Sequence, residues 1–133
     1  MSAPRIVRVG EVMNPRFHTI DGMAMVSEAL ALMCQHEAEC LIVDKRHADD
    51  EYGLLLASDI ARQVLGKDRA PERVNVYEIS AKPVLAVPPQ MDIRYCARLF
   101  TRFDLSRAPV IETGKVMGIV SLANLVFGGL CQF

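Results

Sequence analysis

A chain of 133 residues has the length of one ordinary domain, and with 51% hydrophobic residues it has apolar material for a core and some left over for a partner subunit. Fifteen Lys and Arg against sixteen Asp and Glu leave a net charge of −1, which excludes a global field able to hold nucleic acid by counterion release. No apolar run approaches the ~18 residues of a membrane span, and the N-terminal residues lack the apolar core of a secretory signal, so the chain reads as cytoplasmic.

Taken in order, Val9 to Pro15 reads as a short turn or helix stopped by proline, and Phe17 to Ile20 as a first strand. A helix from Met25 to His36 follows, then a buried strand at Cys40–Val43, a charged loop, and a strand at Tyr52–Leu56. Ser58 or Asp59 opens a second helix with Ile60, Ala61, Val64 and Leu65 on its apolar face, and Gly66 is placed to cap it. The charged, proline-containing stretch 67–75 reads as a linker. Beyond it come Val76–Ile79, a strand at Val84–Val87, and a helix that Asp92 caps after Pro88-Pro89. Strands at Ala108–Ile111 and Lys115–Val120 flank a tight turn at Glu112-Thr113-Gly114, and a last helix starts at Ser121 and is cut short by Gly128-Gly129.

The order repeats itself. Val26, Ala29, Leu30 and Met33, at helical spacing, recur as Ile93, Cys96, Ala97 and Phe100, 67 residues on. Leu41 to Asp44 matches Ala108 to Ile111 in the same register, and Gly53-Leu54-Leu55-Leu56 matches Gly118-Ile119-Val120-Ser121 at an offset of 65. Two α/β copies, each β-α-β-β-α, therefore fill residues 6–66 and 76–128. Each copy is too small to be comfortable alone, so the two are expected to form one module.

The four cysteines form no CxxC pair, and Cys34 and Cys96 fall in apolar helical stretches, which reads as buried reduced thiols and no metal centre. Lys45-Arg46-His47, followed at once by Asp49-Asp50-Glu51, reads as a solvated turn. His18, His36 and His47 lack a nucleophile partner; Cys34 and His36 at i, i+2 face different sides of a helix, and the chain does not read as an enzyme.

Val9-Gly10-Glu11-Val12-Met13, Ser27-Glu28-Ala29, Leu41-Ile42-Val43-Asp44, Ser106-Arg107-Ala108-Pro109-Val110-Ile111 and the two glycine-led strand-to-helix junctions, in this order, resemble a tandem pair of cystathionine-β-synthase (CBS) domains over residues 6–127. The resemblance implies two repeats packed about a pseudo-twofold axis, clefts that take adenosine compounds such as AMP, ADP or ATP, and dimerisation into a disc. It implies a regulatory module answering to an unidentified effector protein, with neither nucleic acid nor membrane as partner. The alternative is a degenerate scaffold or dimerisation module that binds no ligand.

The family's ligand pattern is Gly, two apolar residues, Ser or Thr, two variable residues, then Asp. A hydroxyl at a helix start favours an anion, and a carboxylate accepts from both ribose hydroxyls. The first junction keeps Asp59 but has Leu56 in place of the hydroxyl; the second keeps Ser121 but has Asn124 in place of the carboxylate. By resemblance, a nucleotide at the second junction meets Ile119, Ser121 and Asn124, with Arg107 toward its phosphates and Ala24, Ala29, Ala38 and Glu39 contributed by the first copy. Glu39 opposes a phosphate unless it accepts from the adenine amino group. At the first junction, Met91, Cys96, Leu105 and Ser106 would surround the base, with Cys40 where the phosphate-binding cation belongs. Ser58, Ser121 and Asp59 read equally well as helix-capping residues, and Arg107 as a surface charge.

Overall fold

The structure, a computed structural model, describes residues 5–131. The repeats appear as a mixed α/β fold. The first runs α1 (Val9–Val12), β1 (Thr19–Ile20), α2 (Val26–His36), β2 (Cys40–Val43), β3 (Gly53–Leu56) and α3 (Ala57–Ile60). A 3₁₀ turn at Pro71–Arg73 leads to the second: α4 (Val76–Ile79), α5 (Ile93–Phe103), β4 (Arg107–Glu112), β5 (Lys115–Ser121) and α6 (Leu122–Leu130). In the first repeat β1 pairs parallel with β2, and β2 antiparallel with β3. The second repeat keeps the antiparallel β4–β5 pair, but its counterpart of β1 shrinks to one parallel bridge, Val87 to Val110, where a strand was expected over Val84–Val87.

Local chemistry accounts for the helix ends. At the start of α5 the Asp92 carboxylate accepts from the Arg94 N–H at 2.9 Å, and the Arg94 guanidinium, followed by that backbone bond, holds the Asp92 carboxyl at about 2. Glu28 accepts from the Met25 N–H at 2.7 Å at the start of α2. Both long helices end on an acidic residue in the left-handed region, Glu37 (φ 51°) and Asp104 (φ 53°), at equivalent positions of the two repeats.

Three sequence expectations are corrected here, the first at Leu65. Gly66 caps the helix as read, but right-handed (φ −67°), and the left-handed turn falls at Asp68. The helix reaches it through a π-helical stretch, Ala61–Leu65, whose wider turn keeps Val64 buried and swings Leu65 out to 78% exposure. Gly128 and Gly129 do not stop α6. They lie inside it because a Cβ at Gly128 would strike Val12 and one at Gly129 would strike Ile93, so close packing against α1 and α5 requires their absence. Among the cysteines, Cys96 is buried, which pushes its thiol up to about 11, but Cys34 and Cys131 are exposed.

The chain packs as two compact units that do not coincide with the repeats. A central unit, Phe17–Val84, holds the first repeat's sheet and α2 around Val26, Ala29, Met33, Leu41, Val43 and Leu55. It also takes Val76 and Ile79 from α4, the leading helix of the second repeat. A terminal unit, made of residues up to Arg16 and from Leu85 on, surrounds Phe100, Val110 and Val120, and takes Val9 from α1 of the first repeat. The leading helices are thus exchanged. The exchange is tied by matching backbone bonds: Asn14 exchanges two with Ile119 (2.8 and 2.9 Å), and Ala81, 67 residues after Asn14, exchanges two with Leu54 (3.0 and 2.9 Å). Both bridges bring a backbone against a glycine, Gly118 or Gly53, where a Cβ would lie 2.5 Å from the Asn14 oxygen or 2.8 Å from that of Ala81.

Candidate functional site

Each strand-to-helix junction is set by its sheet register. In the terminal unit Arg107 lies opposite Ser121 across β4–β5, and the Leu122 N–H donates to the Ser106 oxygen at 3.0 Å. Residues directly opposite in an antiparallel pair present their side chains on one face, about 5 Å apart at Cβ. The register therefore sets an arginine opposite a serine at the N-terminus of the nine-residue α6, where the backbone dipole also favours an anion. Sequence reading named both residues but had no means of pairing them.

Ser121 and Asn124 form a reciprocal cap. The Ser121 Oγ accepts from the Asn124 N–H at 3.1 Å, and the Asn124 Oδ1 accepts from the Ser121 N–H at 3.0 Å. The Ser121 hydroxyl proton and the Asn124 amide NH2, both donors, take no part in those two bonds. Ile119 is 7% exposed and both its backbone groups are used by Asn14, so what it offers a ligand is apolar wall.

The central unit has the same register with different chemistry. Cys40 lies opposite Leu56, and the Ala57 N–H donates to the Glu39 oxygen at 2.8 Å. The counterparts of the Arg107 cation and the Ser121 hydroxyl are both missing from this pair. The Asp59 carboxylate is half-buried and divided between the Leu56 N–H at 2.9 Å and the Arg62 guanidinium at 3.1 Å, so it holds the start of α3. Ala24 and Glu39 also belong to the central unit. The Ala24 oxygen accepts from the Val76 N–H at 2.9 Å, anchoring α4, and the Glu39 side chain is exposed.

Two features of the central unit were not legible in the sequence. The Asp50 carboxylate sits beneath the turn that reads as solvated, 11% exposed, binding Lys82 at 2.8 Å and the Arg46 backbone N–H at 2.9 Å. The Lys82 ammonium holds its carboxyl well below the usual carboxylate range. These side chains, with Met23, Tyr77 and Pro83, line a cavity of about 390 Å³. The rings of His18 and His36 stack face to face with centroids 3.8 Å apart, a contact that brings the start of β1 to the end of α2.

No helix among the described residues is long and apolar enough to cross a membrane. Comparison with known proteins agrees with the architecture. The CBS domain family matches residues 76–128. A hexameric CBS-CP12 protein from bloom-forming cyanobacteria is 36% identical, with 96% of this chain and 75% of that one covered, and superposes at a TM-score of 0.92. CBSX2, solved in complex with AMP, is 24% identical over 94% of this chain and 97% of its own, with a TM-score of 0.74. An uncharacterised protein of Methanocaldococcus jannaschii is 22% identical over 80% of this chain, which spans 58% of that protein's length. The duplicated helix, antiparallel strand pair and helix, the glycine-led junctions and a relative of this identity and coverage together establish that the chain belongs to the CBS domain family.

Proposed function

We propose that this chain is a regulatory module that binds an adenosine-containing nucleotide at the Ser121 junction, self-associates, and passes the ligand's presence to an effector protein in the cytoplasm. The observation that carries the reading is the cross-strand pairing of Arg107 with Ser121 at the N-terminus of α6. It gives a phosphate a charged fork, a hydroxyl and a helix end in one place. The AMP complex of CBSX2 supports the ligand class. The hexamer of the CBS-CP12 protein supports self-association, as do the apolar side chains that α6 leaves exposed, Leu122, Val126, Phe127 and Leu130.

The junction at Asp59 favours the second reading for its own half of the chain. With Cys40 and Leu56 in the places of Arg107 and Ser121, it is a structural corner and not a phosphate site. A scaffold that binds no ligand would have both junctions in that condition.

A thermal-shift panel of AMP, ADP, ATP, adenosine and S-adenosylmethionine tests the reading. A ligand at 100 times its dissociation constant stabilises the native state by ~2.7 kcal/mol, several degrees for a chain of this size. Arg107→Ala should weaken the binding nucleotide about tenfold or more, the loss of one charge-assisted bond, while Lys45→Ala in the loop after β2 leaves it unchanged. A flat response to every compound selects the scaffold.

Asn124→Asp makes a separate prediction. A carboxylate at this position keeps the bond from the Ser121 N–H and adds a negative charge at the positive end of α6, worth ~0.3 to 1 kcal/mol without ligand. It also accepts from both ribose hydroxyls, so titration calorimetry should show tighter nucleotide binding by up to about tenfold. Added stability without added affinity would place the ribose elsewhere.

A further inference from the structure

The residues that wall the Lys82 cavity are not shared by the two repeats. Between β2 and β3 the pairing stops at Val43 and Gly53, leaving residues 44–52 to join them, whereas β4 and β5 pair through to Glu112 and Lys115 and turn on Thr113-Gly114. Arg46, Asp50 and Glu51 come from that longer loop. The other walls diverge too, since Met23, Tyr77 and Lys82 match Gln90, Gly10 and Pro15 at the 67-residue offset. In the terminal unit Gly10 sits tight against Pro89, where a Cβ would lie 3.0 Å from the Pro89 Cβ; in the central unit the glycine of the matching pair is Gly22, and α4 carries the tyrosine.

The repeat fold is therefore complete without these side chains. A half-buried ion pair such as Asp50 with Lys82 adds little to stability, because desolvation cancels most of its attraction. Its charges are also unevenly matched: the Lys82 ammonium at 2.8 Å and the Arg46 Nε at 3.3 Å share the one Asp50 carboxylate. The terminal nitrogens of Arg46 take no part in that bond, and the side chain is 61% exposed. Glu51, which also lines the cavity, is exposed and forms no ion pair among the described residues. Met23 and Tyr77 are 58% and 55% exposed, large apolar surfaces left open beside these charges.

We infer that this cavity binds an α-amino acid with an apolar side chain, its carboxylate on the Arg46 guanidinium, its ammonium on Glu51 and its side chain against Met23, Tyr77 and Pro83. A cation in excess, a carboxylate without an ion-pair partner and an uncovered apolar wall call for one ligand that complements all three. An anion alone would meet Glu51, and a cation alone would meet Arg46 and Lys82; a zwitterion satisfies both signs. The volume of about 390 Å³ lies at the small end of ligand pockets, the range of a single amino acid. The site lies wholly within the central unit and does not depend on the Ser121 junction.

Titration calorimetry of the full chain with L-phenylalanine and L-leucine, up to about 10 mM, tests the inference. Both should bind. Phenylpropionate, which lacks the amine, and phenethylamine, which lacks the carboxylate, should each bind about tenfold more weakly than phenylalanine, having lost one charge-assisted bond. Arg46→Gln keeps the backbone N–H and the Lys82 ammonium on Asp50, so the loop stays anchored. It should weaken phenylalanine about tenfold and leave phenethylamine within about twofold, while Glu51→Gln should weaken phenylalanine as much and leave phenylpropionate no weaker. Melting temperatures equal to that of the parent chain confirm that both variants are folded. No binding of either amino acid, equal affinity for phenylalanine and phenylpropionate, or undiminished phenylalanine affinity in either variant overturns the inference.

Discussion

Val9→Asp is expected to unfold the terminal unit while the central unit holds. Val9 is fully buried beside the cluster around Phe100, and its N–H donates to the Met91 oxygen at 2.8 Å. The substitution removes a buried side chain worth roughly 1.5 to 3 kcal/mol and leaves a carboxyl in the apolar cluster of Val87, Cys96 and Phe100, for about 2 kcal/mol or more again. Against a total of about 5 to 15 kcal/mol, that is enough to open one unit. Amide hydrogen exchange is the measurement: protection should vanish at Ala108 and Val110 and survive at Leu41 and Val43. Burial raises the new carboxyl's folded pKa above its unfolded value, so the folded state binds more protons and the defect should ease as pH falls through the raised pKa, to its least below about pH 4. Equal losses at both sets of amides would mean that the exchanged helix does not belong to the terminal unit alone.

Gly118→Val should cost about 3 to 5 kcal/mol, through space and not through backbone conformation. A Cβ there would lie 2.5 Å from the Asn14 oxygen and 3.0 Å from the Met13 sulfur, and the oxygen cannot withdraw without breaking the double bridge between Asn14 and Ile119. Overpacking of this kind costs ~1 to 3 kcal/mol, and two lost backbone bonds about 1 kcal/mol each. Gly114→Ala is the comparison. Its φ of +76° strains any side chain, but nothing lies within 4 Å of the new Cβ, so the penalty stays near 1 to 2 kcal/mol. Urea denaturation of both variants separates the two causes, and equal midpoints would refute the packing account.

What the sequence disclosed follows from the range of the interactions involved. Periodicity is local, so β2 lies at Cys40–Val43 as read, and α5 begins after Asp92 because an aspartate at that spacing captures its own helix. The π-helical turn before Gly66 and the passage of α6 through Gly128-Gly129 depend on neighbours that no window of the chain contains. Cys34 looked buried for a related reason: it follows Met33 on an apolar helix, yet the face it occupies is the one the core leaves uncovered. The junction residues were all identifiable from their types. Their partners were not, since whether Ser121 meets Arg107 is a matter of strand register.

The exchanged leading helices also set an order on the chain's birth. Every residue of the central unit has been made once Val84 leaves the ribosome, whereas α1, synthesised earlier, has no core to join until α5, β4, β5 and α6 follow. At about 5 to 20 residues per second that interval lasts roughly 2 to 9 seconds. For that time Val9 and Val12 are uncovered apolar side chains on a nascent polypeptide whose central unit is already closed. A chaperone that binds early-emerging hydrophobic segments has its opportunity there, and a slowed ribosome between the codons for Leu85 and Leu130 prolongs it.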